Sequence, residues 1–483
     1  MTKTNNPLIF LLSIMLLAPP LLMNQWGFVA EFGAKILGAI ILFILVISES
    51  YKGKVNGSYW LFLFFSIFIA LLYLIPLPDF LWEKIPGREA YIDVSHFVEE
   101  RLPTVSQFKS LSIIPQLTEN SVTMLLPMIA VFVATLSLHS KQLKKLLLFV
   151  FVMAGFQAVL GLSQYFMGTG IPFLGVENVA KNATGTYVNR DHYAGLLELI
   201  LPLSLGMMMQ SINSPSHSSR FQLGANGGSK KFSLLFILSF LILLAVFYSR
   251  SRMGIVLTTF TVFITFFVFS RKKSKRMSLL LGILFIFLLI AIMSLQSIVD
   301  IAFRFFMKDL SEENRFEIYA VTLEGIKALA PFGSGPGTFA NIFKAFQPHD
   351  MQFFINSAHN DYLELIFETG IFGIIIIVFF FILFVRHWIK LNQISSWAHQ
   401  FRYTQTAAGL GMLILLIHAL VDFNFHVDAN MIYFSFFAGL FFHFREKDPN
   451  GRYKPEARRK KSRKKNRRVR RVVEGELLSQ TKN

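Results

Sequence analysis

The stretch "SAHNDYLELIFETGIFG", Ser357 to Gly373, runs a polar Ser-Ala-His-Asn-Asp directly into one of the most apolar segments of the chain. Residues 361–385 carry acids only in their first turns and are then apolar to the end. That is the pattern of a helix that crosses hydrocarbon, which takes about 20 residues. A membrane helix that opens on a histidine raises two questions: how many such helices the chain has, and what the histidine is for.

The whole composition agrees with a lipid solvent. Over 483 residues, 53% are hydrophobic, 54 are phenylalanine and the mean hydropathy is +0.52. No water-soluble core hides that much apolar surface. Cysteine is absent, which excludes disulfides and thiolate metal sites. Apolar runs predict spans at 7–23, 30–48, 59–77, 119–138, 144–165, 192–211, 232–248, 253–270, 277–296, 361–385, 406–423 and 429–444. The expectation is therefore an all-α polytopic membrane protein of about twelve helices. The first run has only Lys3 as a basic flank and no small-residue cleavage site, so it reads as a retained span. The pair at 232–248 and 253–270, separated by "SRSRM", reads as a tight helical hairpin.

Orientation follows from Lys and Arg, which collect in short cytoplasmic loops. Alternate connections are basic: Lys52 and Lys54, "KQLKK" at 141–145, "KK" at 230–231, "RKKSKR" at 271–276, and Arg386, Lys390 and Arg402. Two longer connections are acidic, 79–118 with four Lys/Arg against six Asp/Glu and 297–360 with five against seven. This alternation predicts cytoplasmic termini and long loops on the outside, in the periplasm of a Gram-negative inner membrane. A polytopic domain over 1–444 would then be followed by a basic tail over 445–483. Residues 458–471 hold eleven basic residues in fourteen, "RRKKSRKKNRRVRR". With no interleaved aromatics or binding fold, the tail reads as a disordered segment on anionic inner-leaflet lipid rather than a nucleic-acid site. The Ser/Gly-rich segment 211–229 reads as a cytoplasmic linker.

Five polar clusters fall on the predicted outer face: "TYVNRDHYAGLLEL" (186–199), "YSRSRMG" (248–254), "NRFEIY" with "PFGSGPGTF" (314–339), "SAHNDYLELIFETG" (357–370) and "HALVDFNFHVDAN" (418–430). Only Glu198 reads as an ionisable residue deep in a span. One outward-facing site lined by helix ends is the expectation.

In this order the clusters resemble the O-antigen ligase and O-antigen polymerase family of bacterial membrane glycosyltransferases, over about 150–440. The most specific element is the His-Asn-x-Tyr-Leu that opens a span, preceded by the glycine-rich loop. Met253 departs from the pattern, which more often has glycine after the arginine. The resemblance implies a largely helical GT-C-like fold without a metal or other cofactor. It also implies a glycan donor linked to undecaprenyl diphosphate and an acceptor hydroxyl on a glycan, a lipid A core or a protein.

The residues suit that chemistry on their own terms. A diphosphate leaves more readily when fixed guanidinium groups meet its charge. Arg252 and Arg315 are the candidates for that clamp, with Arg250 and Arg190 behind them; the alternative for the Arg250/Arg252 pair is snorkelling at the membrane edge. An acceptor hydroxyl needs a base, and the ordinary pKa of histidine, ~6.5, suits it. His359 is that candidate, unless it is an interfacial residue beside a helix start. Asn360 reads as a substrate contact, the alternative being that Asn360 and Asp361 cap the helix and Glu364 and Glu368 complement its dipole.

Asp422 resembles a family position lining the pocket and would orient His359 or an arginine. His418, four residues before it, shares its helix face and reads as a substrate contact, with a structural pair of the two as the equal alternative. Asn189, Arg190 and His192 contact sugar or phosphate, or start a helix. Gly335 and Gly337, in Gly-x-Gly-x-Gly, read as a flexible loop or a phosphate nest. A metal held by His359 and Asp361 lacks a third ligand. The competing function is a transporter or flippase, but transporters place binding groups near the midplane rather than at one face.

Overall fold

The computed structural model describes residues 6–22, 26–101, 109–168, 182–213, 227–269, 283–284, 299, 310–351, 354–393 and 400–443. Among them the regular structure is helical, with one isolated bridge between Pro76 and Ser110. The chain divides into a unit from Met1 to Phe442 and a second from His443 to Asn483. The basic run of the tail and, apart from residues 283–284, the predicted span at 277–296 lie outside the described residues.

In the first unit the helices are α1 (Asn6–Leu22), α2 (Gly27–Ser48), α3 (Gly57–Leu72), α4 (Asp79–Trp82), α5 (Glu89–Arg101), α6 (Pro115–Ser137), α7 (Ser140–Met167) and α8 (Arg190–Asn213). They continue as α9 (Gly227–Ser249), α10 (Arg252–Phe269), α11 (Leu310–Leu329), α12 (Phe339–Ile342), α13 (Asp361–Gln393), α14 (Gln400–His418) and α15 (Asp428–Phe441). Seven of these are long and apolar enough to cross a membrane, and α1 and α3 are shorter apolar helices. The predicted hairpin is present, with α9 ending at Ser249 and α10 starting at Arg252.

The packing is that of a protein in lipid, with small residues inward and large apolar ones outward. On α2, Ala30, Ala34, Gly38, Ile41 and Leu45 are buried at spacings of three and four. Phe28, Phe32, Ile36, Ile40 and Phe43 of the same helix face outward. Gly38 meets the Pro127 backbone of α6 so closely that a Cβ would sit 2.8 Å from the proline Cα. At the centre stands α8, almost wholly buried and packed against α9, α10 and α14.

The two long connections fold onto each other. The 79–118 connection holds α4 and α5, and the amide of Ile113 donates to Ser334 O at 2.8 Å. Arg88 is completely buried between them, its guanidinium donating to Leu111 O and Gly333 O. Burial lowers its pKa to about 10, so it stays cationic at neutral pH.

The loop at 330–339 docks where α13 is broken. Gly370 has φ 55° and ψ −131°, so Ile371 N turns out of the helix and donates to Pro331 O at 2.9 Å. The carbonyls of Phe367 and Glu368 then accept from Ser334 N (3.2 Å) and Gly335 N (2.8 Å). The break thus hands the carbonyls of Phe367 and Glu368 and the amide of Ile371 to partners on the loop, and the carbonyl of Thr369 accepts from Tyr73 Oη at 3.0 Å.

Candidate functional site

Four of the five polar clusters are tied together by direct bonds. Arg315 Nη1 donates to Val421 O at 3.0 Å, and Tyr319 Oη donates to His359 O at 2.9 Å. Asp361 N donates to Ala419 O at 2.9 Å, and Asn430 Nδ2 donates to His192 O at 3.1 Å. The fifth cluster joins through packing, since Gly254 on α10 lies against Ala194 near the start of α8.

At the centre is Asp422, 1% exposed. Its Oδ1 lies 3.5 Å from His359 Nδ1 and its Oδ2 lies 3.7 Å from His192 Nε2. The ring of Phe423 stands edge-on to both imidazoles, with centroids at 4.9 Å from His359 and 4.4 Å from His192. Two histidines thus face one carboxylate, separated by an aromatic wedge. Burial acts to raise the pKa of Asp422, but His359, His192, His418 and Arg315 together hold it below the usual carboxylate range.

The helix ends explain the placement. α14 stops at His418 and the chain turns, so Asp422 sits in the connection to α15 and not on a helix face beside His418. The shared-face expectation is corrected accordingly. His418, predicted to contact substrate, instead bonds Glu198 of α8 through Nδ1 at 3.0 Å, with both side chains essentially inaccessible. His359 precedes α13 with a left-handed φ of 49°, a conformation that costs a non-glycine residue energy and needs support from its surroundings. Its side chain keeps 27% exposure. With Nδ1 turned to Asp422, Nε2 is the nitrogen left for a partner.

Several predicted residues do other work. Asn360 Oδ1 accepts from Tyr362 N and Leu363 N at 3.1 Å each, which makes it the cap of α13 rather than a substrate contact. Asn189 likewise accepts from Asp191 N at 2.8 Å and starts α8. Arg190 opens α8 and Arg252 opens α10, both half-buried. Arg250 lies over the ring of Tyr165, 5.7 Å from its centroid. The phosphate nest expected at Gly335 and Gly337 is not open. Gly335 N is bonded to Glu368 O, and the Glu368 carboxylate takes the amide of Phe339 at 2.9 Å. Glu368 was expected to complement a dipole; it holds the glycine loop instead.

Sequence reasoning missed His426. Its Nδ1 contacts Asp361 Oδ1 at 2.9 Å and its Nε2 contacts Glu364 Oε1 at 3.0 Å. The available signal was a pair of acids three apart at a helix mouth, with a histidine in the neighbouring cluster. Among the described residues, no group of three or more His, Asp or Glu is arranged to hold a metal ion.

Residues 237–378 match the model of the O-antigen ligase family. Over that stretch the chain is similar to the O-antigen ligase family. The matched stretch includes Arg250, Arg252, Arg315, the glycine loop and His359, and is narrower than the resemblance read from the motifs. His192 and Asp422 lie outside it, one on either side, and the fold brings both to His359. No curated protein matches the chain.

Proposed function

We propose that this O-antigen ligase-type membrane protein is a glycosyltransferase. In this reading it moves a glycan from undecaprenyl diphosphate to an acceptor hydroxyl at the periplasmic face of the inner membrane. The observation that carries the reading is the His359–Asp422 pair at a helix mouth, with Arg315 hydrogen-bonded to the residue before Asp422.

The chemistry follows from the geometry. His359 Nε2 takes the acceptor hydroxyl proton as that oxygen attacks the anomeric carbon. Asp422, facing Nδ1, fixes the tautomer that leaves Nε2 basic and meets the positive charge the ring acquires. The new C–O bond forms as the bond from the anomeric carbon to the diphosphate oxygen breaks, and its electron pair leaves with the diphosphate. Guanidinium groups stabilise that charge, with Arg315 nearest Asp422 and Arg252 and Arg190 at neighbouring helix starts. The 3.5 Å separation of His359 and Asp422 is long for a hydrogen bond. Catalytic contacts of this kind shorten when substrate closes the site.

The test is donor binding and single-turnover transfer in detergent, with an undecaprenyl-diphosphate glycan and a hydroxyl acceptor. His359→Gln is expected to bind donor as wild type does and to lose roughly 10²–10⁴-fold in turnover. Wild-type turnover in that variant contradicts the base assignment. Wild-type protein that transfers no glycan in detergent but translocates the donor when reconstituted in sealed vesicles makes the chain a flippase.

A further inference from the structure

The segment carrying His359 and the turn carrying Asp422 are joined by more than their facing side chains. Asp361 and Glu364 sit in the first turn of α13, nearly fully buried. Each spends one carboxylate oxygen on His426. Each spends the other on a backbone amide: Asp361 Oδ2 accepts from Phe425 N at 3.0 Å, and Glu364 Oε2 accepts from Ala358 N at 2.8 Å. Ala358 is the residue before His359, and Phe425 is three residues after Asp422. With Asp361 N bonded to Ala419 O, the stitches bracket both His359 and Asp422. Both ring nitrogens of His426 face carboxylate oxygens, and only an imidazolium donates from both. About 40% of the His426 side chain is exposed, but both nitrogens are turned inward.

We propose that His426 is a positioning residue for the glycosyl-transfer site: bridging Asp361 and Glu364, it fixes the register between the 358–364 segment and the 419–426 turn and so holds His359 against Asp422. The inference rests on the reading of His359 as the base. His426 itself touches no substrate. Loosening the bridge lets His359, already in an unfavourable backbone conformation, relax away from its carboxylate.

The experiment uses the full chain in detergent, with His426→Gln, which is neutral and donates from a single nitrogen, and His426→Arg, which restores a cation able to donate to both carboxylates. His426→Gln is expected to lose about 10–100-fold in single-turnover rate with donor affinity unchanged, and His426→Arg to recover part of that loss. In an Asp422→Asn background, His426→Gln is expected to add little further loss, because the two act through one contact. A merely structural role predicts additive losses.

A second readout needs no activity. Labelling by diethyl pyrocarbonate, followed peptide by peptide, should show His359 several-fold more reactive in His426→Gln than in wild type. Full turnover in His426→Gln, fully additive losses, or unchanged His359 labelling overturns the proposal. An inactive wild type counts against the transferase reading instead, and the labelling still decides the role of His426.

Discussion

His359 combines three features that rarely meet in one residue: a left-handed backbone, a buried carboxylate behind one ring nitrogen and an open side for the other. His359, placed just before α13 by the Asn360 cap, is held by Tyr319 and faces the 419–426 turn. Arg315→Lys keeps charge but loses the planar fork. Donor use is expected to fall about 10–100-fold, the scale of one charge-assisted hydrogen bond, measured as donor affinity with acceptor in excess. The His426 bridge also sets a pH dependence. Burial alone would lower the pKa of His426, but Glu364 and Asp361 raise it well above the ordinary histidine value. A folded-state pKa above the unfolded one gives stability that is complete below about 6.5 and is lost as pH rises through the folded value. Thermal unfolding in detergent should therefore show the gap between wild type and His426→Gln widest near pH 6 and narrowing towards alkaline pH. A gap that widens with pH contradicts the charged bridge. His359, His192 and Asp422 were legible because each stands in a local motif. His426, Tyr319 and the role of Glu364 were not, because their partners lie 40 to 65 residues away in sequence.

At the scale of elements, apolar runs located the helices well, while the sequence left the break in α13 unread. Nothing in "FETGIFG" distinguishes a glycine inside a helix from one that leaves it. The difference is made by the Pro331 carbonyl, which would lie 2.0 Å from a Cβ on Gly370. Gly370→Ala is expected to destabilise by roughly 1–3 kcal/mol, from the φ penalty alone, and to free the glycine loop. A lowered melting temperature and protease cutting within 330–339 would be the signs, and a wild-type melting temperature would refute the account of the kink. The glycine loop itself shows why a Gly-x-Gly-x-Gly pattern is weak evidence for anion binding. The amides of Ser334, Gly335 and Phe339 are taken by α13 and that of Gly333 by Leu329 O of α11, which only the folded structure reveals. The end of α14 at His418 was also misread, since the apolar run continues to Val421 while the backbone has already turned.

At the scale of the whole molecule, convergence is the feature that argues for one site. Motifs spread from Asn189 to Asn430 meet at one end of the bundle around Asp422, and the two long connections cover the same end. Charge alternation predicts that this end faces outward. Reporter fusions after residues 100 and 345 are expected to read as outside, and fusions at residue 275 and in the tail as inside. A cytoplasmic signal at 345 would remove the outward site. Deleting residues 456–483 is expected to leave glycan transfer largely intact. The most direct measurement is complementation of a deletion strain with wild-type and His359→Gln chains at equal membrane abundance, followed by analysis of the surface glycan lost on deletion. The account predicts that the wild-type chain restores that glycan and that His359→Gln leaves it unattached, with lipid-linked donor accumulating. Full restoration by His359→Gln would contradict it.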